Sequence, residues 1–313
     1  MKLPDTILLW GLLSDAPTAA LHDSIRRTGQ RLFFLDQRAV RDTRVELVAG
    51  AGVEGSVRVG AQTLDLAAVK AAYLRPYDVG YLSRAEIPEL AEAGPDGELW
   101  RHAAAVHEIL LSWGDLSPAL VLNRPGAMAP NGSKPYQAIW IESVGFRIPE
   151  TLITTDPVAA LNFWKQHERV IYKSLSADRS IVTHLTQEHL ARFDNIASCP
   201  TQFQRYVSGV EYRVHVVGED LFPCKILSDE DDYRYASPPA VMEACELPAE
   251  VSRLCRTLAR SMDLQIAGID LKCTPENDWY CFEVNPSPAF AWFQDVTQQP
   301  IAEAIAQLLA TAR

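Results

Sequence analysis

The sequence predicts an α/β protein built from more than one lobe, and three stretches carry that expectation. A βαβ pattern opens the chain, the Pro/Gly-rich segment "LSPALVLNRPGAMAPNGSK" interrupts it, and a second alternation of strands and helices runs on to a closing hairpin. At 313 residues the chain is long enough for two or three lobes with a sizeable core.

The elements follow in order. "TILLWGLL" reads as a strand, "APTAALHDSIRRTG" as a helix and "RLFFLD" as a second strand. The opening apolar run imitates a signal peptide, but Asp5 before it, Asp15 after it and its strand-like length favour a first core strand. "AAYLRPYDV" is a further strand that ends in a Pro-broken loop, and no G-x-G-x-x-G follows the first strand. Leu99, Trp100, Ala103, Val106, Leu110 and Trp113 fall on one stripe, which predicts a helix over 97–113 with Asp96 as its N-cap. Beyond the Pro/Gly-rich break come a helix near 135–144, the strand "RIPETLIT" and a helix opened by Asp156-Pro157. "RVIYKSL", "SIVTHL", "TQFQRYV", "EYRVHVV" and "LFPCKIL" are strands, the last two joined by a hairpin turn at Gly218-Glu219-Asp220. A helix over 248–262, the hairpin "GIDLKCTPENDWYCFEVNPSP" and a helix over about 300–311 close the chain.

Bulk properties exclude several classes. An apolar content of 48% excludes disorder, and a formal charge of −11 argues against a nucleic-acid or anionic-membrane partner while leaving room for a local basic pocket. No stretch is long enough to span a bilayer. Six cysteines without C-x-x-C spacing suit reduced thiols in a cytoplasmic protein. The seven histidines form no H-E-x-x-H or Cys/His cluster and read as structural or exposed.

The closing hairpin carries the chemistry. With a four-residue turn at Pro275–Asp278, Thr274 faces Trp279, and counting back sets Asp270 opposite Glu283, with Asn285 on the same face. Ile269, Leu271, Cys273, Tyr280, Phe282 and Val284 then take the other face, and Cys273 and Cys281 fall on opposite faces, against a disulfide. Like charges directly across a strand pair are destabilising, so two carboxylates and an amide oxygen on one pleat call for a cation. Oxygen ligands without His or Cys suit Mg²⁺ completed by phosphates and water, a reading preferred here to solvated acids.

A phosphate-linked metal implies cations elsewhere. Lys173 ends the strand "RVIYK", where spacing alone allows either a phosphate contact or a solvated strand end. Lys134 stands at a helix start, which favours anions. Arg213 lies inside a strand and should face a cleft and an anion, with Lys225 and Arg234 joining it. The run Asp229–Asp232 reads as a solvated loop, and Arg75 and Arg124 are candidates for a substrate carboxylate or for structural roles.

Taken together, "NRPGAMAPNGSK", "VIYKSLSADRS", "QRYVSGVEYRVHVVG", "DDYRY" and "GIDLK…FEVNPSP" resemble the ATP-grasp superfamily of carboxylate–amine ligases. The likeness spans about 120–295 and is nearest to the ribosomal-protein glutamate ligase and graspetide (microviridin-type) cyclase branch. It implies an ATP-grasp fold, with a pre-ATP-grasp α/β lobe over 1–118 that contributes to the substrate site and a two-lobed ATP-grasp domain over 119–313. It implies ATP and Mg²⁺ as cofactors, with Asp270, Glu283 and Asn285 holding Mg²⁺ and Lys134 and Lys173 on the nucleotide phosphates. Gln204, Arg205, Tyr206 and Val207 become the hinge whose backbone reads adenine, Glu211 lies near the ribose, and Arg213, aided by Lys225 and Arg234, faces the γ-phosphate. The loop after Lys173, "SLSADRSIV", departs from the glycine-rich family pattern and offers Arg179 for substrate contact. The implied activity is amide or ester formation, through an acyl phosphate, between a carboxylate of an amino acid, peptide or protein and an acceptor nucleophile. A small-molecule kinase and an inert nucleotide-binding regulatory module are the alternatives. Dimers are common in the family, so a homodimer belongs among its expectations.

Overall fold

The computed structural model describes residues 5–50, 52–174, 183–199, 201–228 and 240–312. The opening apolar run is a core strand: β1 (Thr6–Gly11) is buried along its whole length. Such a continuous apolar strand is what a parallel sheet covered on both faces requires. It lies between β2 (Arg31–Asp36) and β6 (Val69–Leu74), and β7 (Leu120–Leu122) completes this parallel sheet in the order β2-β1-β6-β7. The crossover α1 (Ala16–Arg27) starts where Asp15 accepts a hydrogen bond from the Thr18 amide, and ends with Arg26 and Arg27 against the negative end of its dipole. Between β2 and β6 the chain folds an antiparallel flap of β3 (Thr43–Ala49), β4 (Val53–Val59) and β5 (Gln62–Asp65).

Helices α2 (Val79–Ala85), α3 (Pro88–Ala93) and α4 (Glu98–Leu116) follow β6. The apolar stripe of α4 is buried as expected, but Gly97 caps it and Asp96 does not. The Pro/Gly-rich break forms α5 (Pro125–Met128) and leads into α6 (Lys134–Ser143). Then come β8 (Thr151–Thr154), α7 (Pro157–His167) with its Asp156 cap, β9 (Val170–Ser174), β10 (Thr183–His184) and, after a 3₁₀ segment, β11 (Thr201–Arg205). These strands make a small antiparallel sheet in the order β10-β9-β11-β8.

The last sheet runs β14-β13-β12-β15-β16, from β12 (Val210–Val217), β13 (Asp220–Leu227), β14 (Val241–Ala244), β15 (Ile266–Cys273) and β16 (Trp279–Asn285). Helix α8 (Ala249–Ser261) covers one face through Val251, Leu254, Cys255 and Leu258, packed on Val214, Val216, Ile269 and Leu271. The other face meets α9 (Phe290–Thr297), an element that the sequence reading omitted. With α10 (Ile301–Thr311), α9 packs Phe290, Ile301, Ile305 and Leu309 against Ile7, Leu9 and Ile25 of the first lobe and against Val217 and Ile266 of the last. One apolar cluster therefore joins the two ends of the chain. No helix among the described residues is long and apolar enough to cross a membrane, and the six cysteines are free thiols.

A buried amide reinforces this junction. Asn123 Nδ2 donates to the carbonyls of Ile266 (2.7 Å) and Pro286 (2.6 Å), while its Oδ1 accepts from the amides of Gln265 (2.8 Å) and Ile266 (3.1 Å). All four hydrogen-bonding positions of the side chain are filled. Asn123→Ala strands these backbone groups in a dry interior and should lower stability by about 3 kcal/mol, read as a drop in the urea midpoint.

Candidate active site

The carboxylate pleat forms, but by a different route from the one counted on the sequence. The turn has five residues: Cys273 pairs with Trp279, and Asn277 adopts a left-handed φ of 67° that asparagine tolerates. Continued unchanged, that register would set Asp270 opposite Phe282. A bulge between Asp270 and Leu271 skips Phe282 and restores the pair, so Asp270 faces Glu283 and Gly268 faces Asn285. The outer half of the hairpin is correspondingly inverted from expectation. Trp279 and Cys281 turn into the apolar cluster with Leu271, and Tyr280 pairs with Lys272 on the pleat side. Phe282 also leaves the expected apolar face, its ring lying 5.8 Å from Lys272 Nζ. Cys273 and Cys281 therefore share a face and remain thiols.

Arg213 of β12 sits directly across from Asp270 of β15, and its Nη1 donates to Asp270 Oδ1 at 2.6 Å. The arginine is buried, and the pleat supplies it with an anion. Gly268 makes this possible: a Cβ there would collide with the guanidinium and crowd Pro288.

Two lysines answer the carboxylates from other elements. Lys173 is the penultimate residue of β9, and Lys134 is the first residue of α6. Burial and the neighbouring charge of Lys134 pull the Lys173 ammonium down to about 8, while Glu283 and Asp270 oppose the shift. These four groups thus share one electrostatic environment. Helix α6 is fixed to the hairpin by Gln137, whose buried side chain donates to Val284 O (2.6 Å) and accepts from Val284 N (3.1 Å). Nothing in the sequence pattern singles out Gln137, because its role depends on a strand almost 150 residues away.

The expected hinge residues lie between the small antiparallel sheet and the last sheet. Gln204 and Arg205 end β11; Gln204 donates to Thr151 Oγ1, and Arg205 Nη2 to the Tyr280 hydroxyl. The Tyr206 ring lies 3.9 Å from the Arg169 guanidinium and 5.4 Å from Lys272 Nζ, and Val207 is buried. Glu211 is ion-paired to Lys272 at 3.0 Å, a partner that the sequence reading missed.

One expectation is corrected, and two residues left open between a substrate and a structural role take the structural one. Lys225 pairs with Tyr212, on the α8 side of the sheet, so the pleat's alternation turns it away from Arg213 and Asp270. Arg124 donates to the carbonyls of Gly114, Asp115 and Ala119 and closes the end of α4. Arg75 is held by Asp15 and Ser287. Arg234, Arg179 and the run Asp229–Asp232 lie outside the described residues.

The donor set fits Mg²⁺. Two carboxylates and an amide oxygen stand on one pleat, and no cluster of three or more His, Cys, Asp or Glu suited to a metal occurs among the described residues. The protein alone offers an incomplete oxygen shell, the arrangement expected where phosphates supply the remainder.

Residues 143–309 match the family model described as RimK-like ATP-grasp domain. The chain belongs to the RimK-like ATP-grasp family. The matched span takes in Lys173, Arg213, Asp270, Glu283 and Asn285 and leaves out Lys134. A sequence search of curated proteins finds no match. Among solved structures, the macrocyclase MdnC bound with precursor peptide MdnA from Microcystis aeruginosa MRC is 22% identical with a TM-score of 0.82, covering 97% of this chain and 99% of that one. A RiPP-associated ATP-grasp ligase of Chryseobacterium gregarium, in complex with ADP and a leader and core peptide, is 20% identical with a TM-score of 0.81, over 97% and 96%. The ATP-grasp ligase PsnB, complexed with a minimal precursor variant, Mg and ADP, is 23% identical with a TM-score of 0.79, over 98% of both chains. These likenesses establish that the whole chain, first lobe included, has the ATP-grasp fold.

The Lys173 shift gives a pH prediction. Free protein holds the lysine proton only below about 8, and bound phosphates favour the protonated form, so binding takes up a proton when the pH lies at or above that value. ADP affinity should therefore weaken as pH rises past 8. Calorimetry at pH 8.5 in two buffers of different ionisation enthalpy should register proton uptake that Lys173→Met abolishes.

Proposed function

We propose that this chain is an ATP- and Mg²⁺-dependent ligase that activates a carboxylate of a peptide and joins it to an amine or hydroxyl, forming an amide or ester. The observation that carries this reading is the convergence of Arg213, Lys173 and Lys134 on the Asp270–Glu283 pleat, cations and carboxylates held by five separate elements. MdnC, the C. gregarium ligase and PsnB are bound to precursor, leader or core peptides in their solved structures, which supports a peptide as the substrate class. In this reading residues 1–118 contribute to the substrate site and 119–313 form the ATP-grasp domain.

The residues account for the chemistry without a protein nucleophile. A substrate carboxylate oxygen attacks the γ-phosphorus of ATP and ADP departs, leaving an acyl phosphate on the substrate. The acceptor then attacks the acyl carbon, inorganic phosphate leaves, and the acceptor's proton passes to solvent. Asp270, Glu283 and Asn285 would hold Mg²⁺, which supplies charge neutralisation between phosphates. Lys134 and Lys173 bind phosphate oxygens, and Arg213, oriented by Asp270, stabilises charge on the transferring group. The hinge backbone from Gln204 to Val207 receives the base, and Glu211 receives the ribose.

The test is an incubation of purified protein with ATP, Mg²⁺ and acid-rich candidate precursor peptides, followed by ADP release and product mass. A ligase gives a product lighter by one water per bond formed, whereas a kinase gives one heavier by a phosphoryl group. Arg213→Met should lower kcat by about 100- to 1000-fold. Asp270→Ala/Glu283→Ala should abolish ADP release, and unaltered turnover in that double variant contradicts the reading.

A further inference from the structure

The junction between the first and last lobes contains an ion pair that the proposed chemistry does not use. Asp15, the cap of α1, receives four hydrogen bonds. Its Oδ2 accepts from the Thr18 amide (3.0 Å), the Thr18 hydroxyl (2.8 Å) and Arg75 Nε (2.8 Å), and its Oδ1 accepts from the Tyr77 hydroxyl (2.9 Å). The pair is nearly sealed, with the Arg75 side chain 14% exposed and that of Asp15 7%. An ion pair this deep persists only when its hydrogen bonds are well made, and it holds both partners in fixed positions.

From that anchored position Arg75 crosses to the last lobe. Its Nη1 donates to the Ser287 hydroxyl (2.7 Å), to Ser287 O (2.9 Å) and to Pro288 O (3.3 Å). The Ser287 amide in turn donates to Asn285 Oδ1 at 2.9 Å. A chain of hydrogen bonds therefore runs from the cap of the first helix to the amide oxygen at the end of the carboxylate pleat. Asn285 is the last residue of β16; its backbone is still paired with Gly268, but the ladder does not fix its side chain. The direction of its side chain depends on where the Ser287 amide points, and Arg75 holds the carbonyl and hydroxyl of that same residue.

We infer that Arg75, braced by Asp15, is a positioning residue for Asn285: by fixing Ser287 it aims the Asn285 amide oxygen at the metal, placing Mg²⁺ affinity under the control of the first lobe. This rests on the proposed reading of Asn285 as a metal ligand. Arg75 touches neither metal nor reacting atoms. Its loss should loosen the metal while leaving the nucleotide contacts of β9, α6 and the hinge in place.

The probe is Mn²⁺, titrated into the ADP-saturated full chain and followed by electron paramagnetic resonance. Loss of an outer partner of a metal ligand typically weakens binding by about 10- to 100-fold, and Arg75→Met should do so. Metal-free ADP affinity should stay near that of the unaltered protein, the thermal midpoint should fall because Asp15 loses its buried partner, and Arg75→Lys should recover part of both losses. Should Arg75→Met fail to fold, Asp15→Asn decides by the same titration, with weaker Mn²⁺ binding expected. Asn285→Ala separates the two levels. If it weakens Mn²⁺ binding and the Arg75 and Asp15 variants do not, the positioning role is overturned. If Asn285→Ala binds Mn²⁺ normally, the ligand reading beneath it fails as well. A loss of metal-free ADP binding in step with Mn²⁺ also overturns the inference, because it marks a merely structural strut.

Discussion

Two carboxylates stand opposite one another on one pleat of the last sheet, and much of the surrounding structure answers that constraint. Asp270 and Glu283 would repel across a bare strand pair. Arg213 relieves part of the repulsion from the next strand, and Gly268 clears the space that its guanidinium needs. Lys173 and Lys134 approach from β9 and from α6, with a desolvation of Lys173 that the carboxylates only partly offset. In the proposed reading, phosphates and a divalent ion tilt the balance further and turn a structural liability into a nucleotide site.

The site depends on long-range fastening more than on local sequence. Gln137 attaches α6 to β16, Asn123 attaches the end of β7 to β15, and the helices after the hairpin bury Phe290 and Ile305 against β1 and α1. These contacts link segments more than 100 residues apart. As a result the pleat, the phosphate lysines and the first lobe are held in one frame. Positioning of this kind is what a reaction without a protein nucleophile requires.

The strands that carry the site were legible because burial in a sheet leaves a strong apolar pattern, and because acids inside such a pattern demand an explanation. The pairing of Asp270 with Glu283 was reached by counting from a turn one residue too short, and it survives only because the bulge at Phe282 compensates. No alternation pattern announces a bulge, so the faces of Tyr280, Cys281 and Phe282 were misassigned. Lys225 was misplaced for a related reason: a cation near a motif in sequence has even odds of lying on the wrong face of its strand, and only the register with Tyr212 decides. Gln137, Asn123 and the Glu211–Lys272 pair were invisible because their partners are set by tertiary structure, not by spacing.

The central claim is that this pleat binds a divalent metal against nucleotide phosphates. Anomalous diffraction from crystals grown with Mn²⁺ and ADP tests it most directly. The account predicts a peak about 2.1 Å from carboxylate oxygens of Asp270 and Glu283, with phosphate density reaching Lys134 and Lys173. A metal peak elsewhere, or ADP bound away from those lysines with the Arg213–Asp270 pair undisturbed, would contradict it.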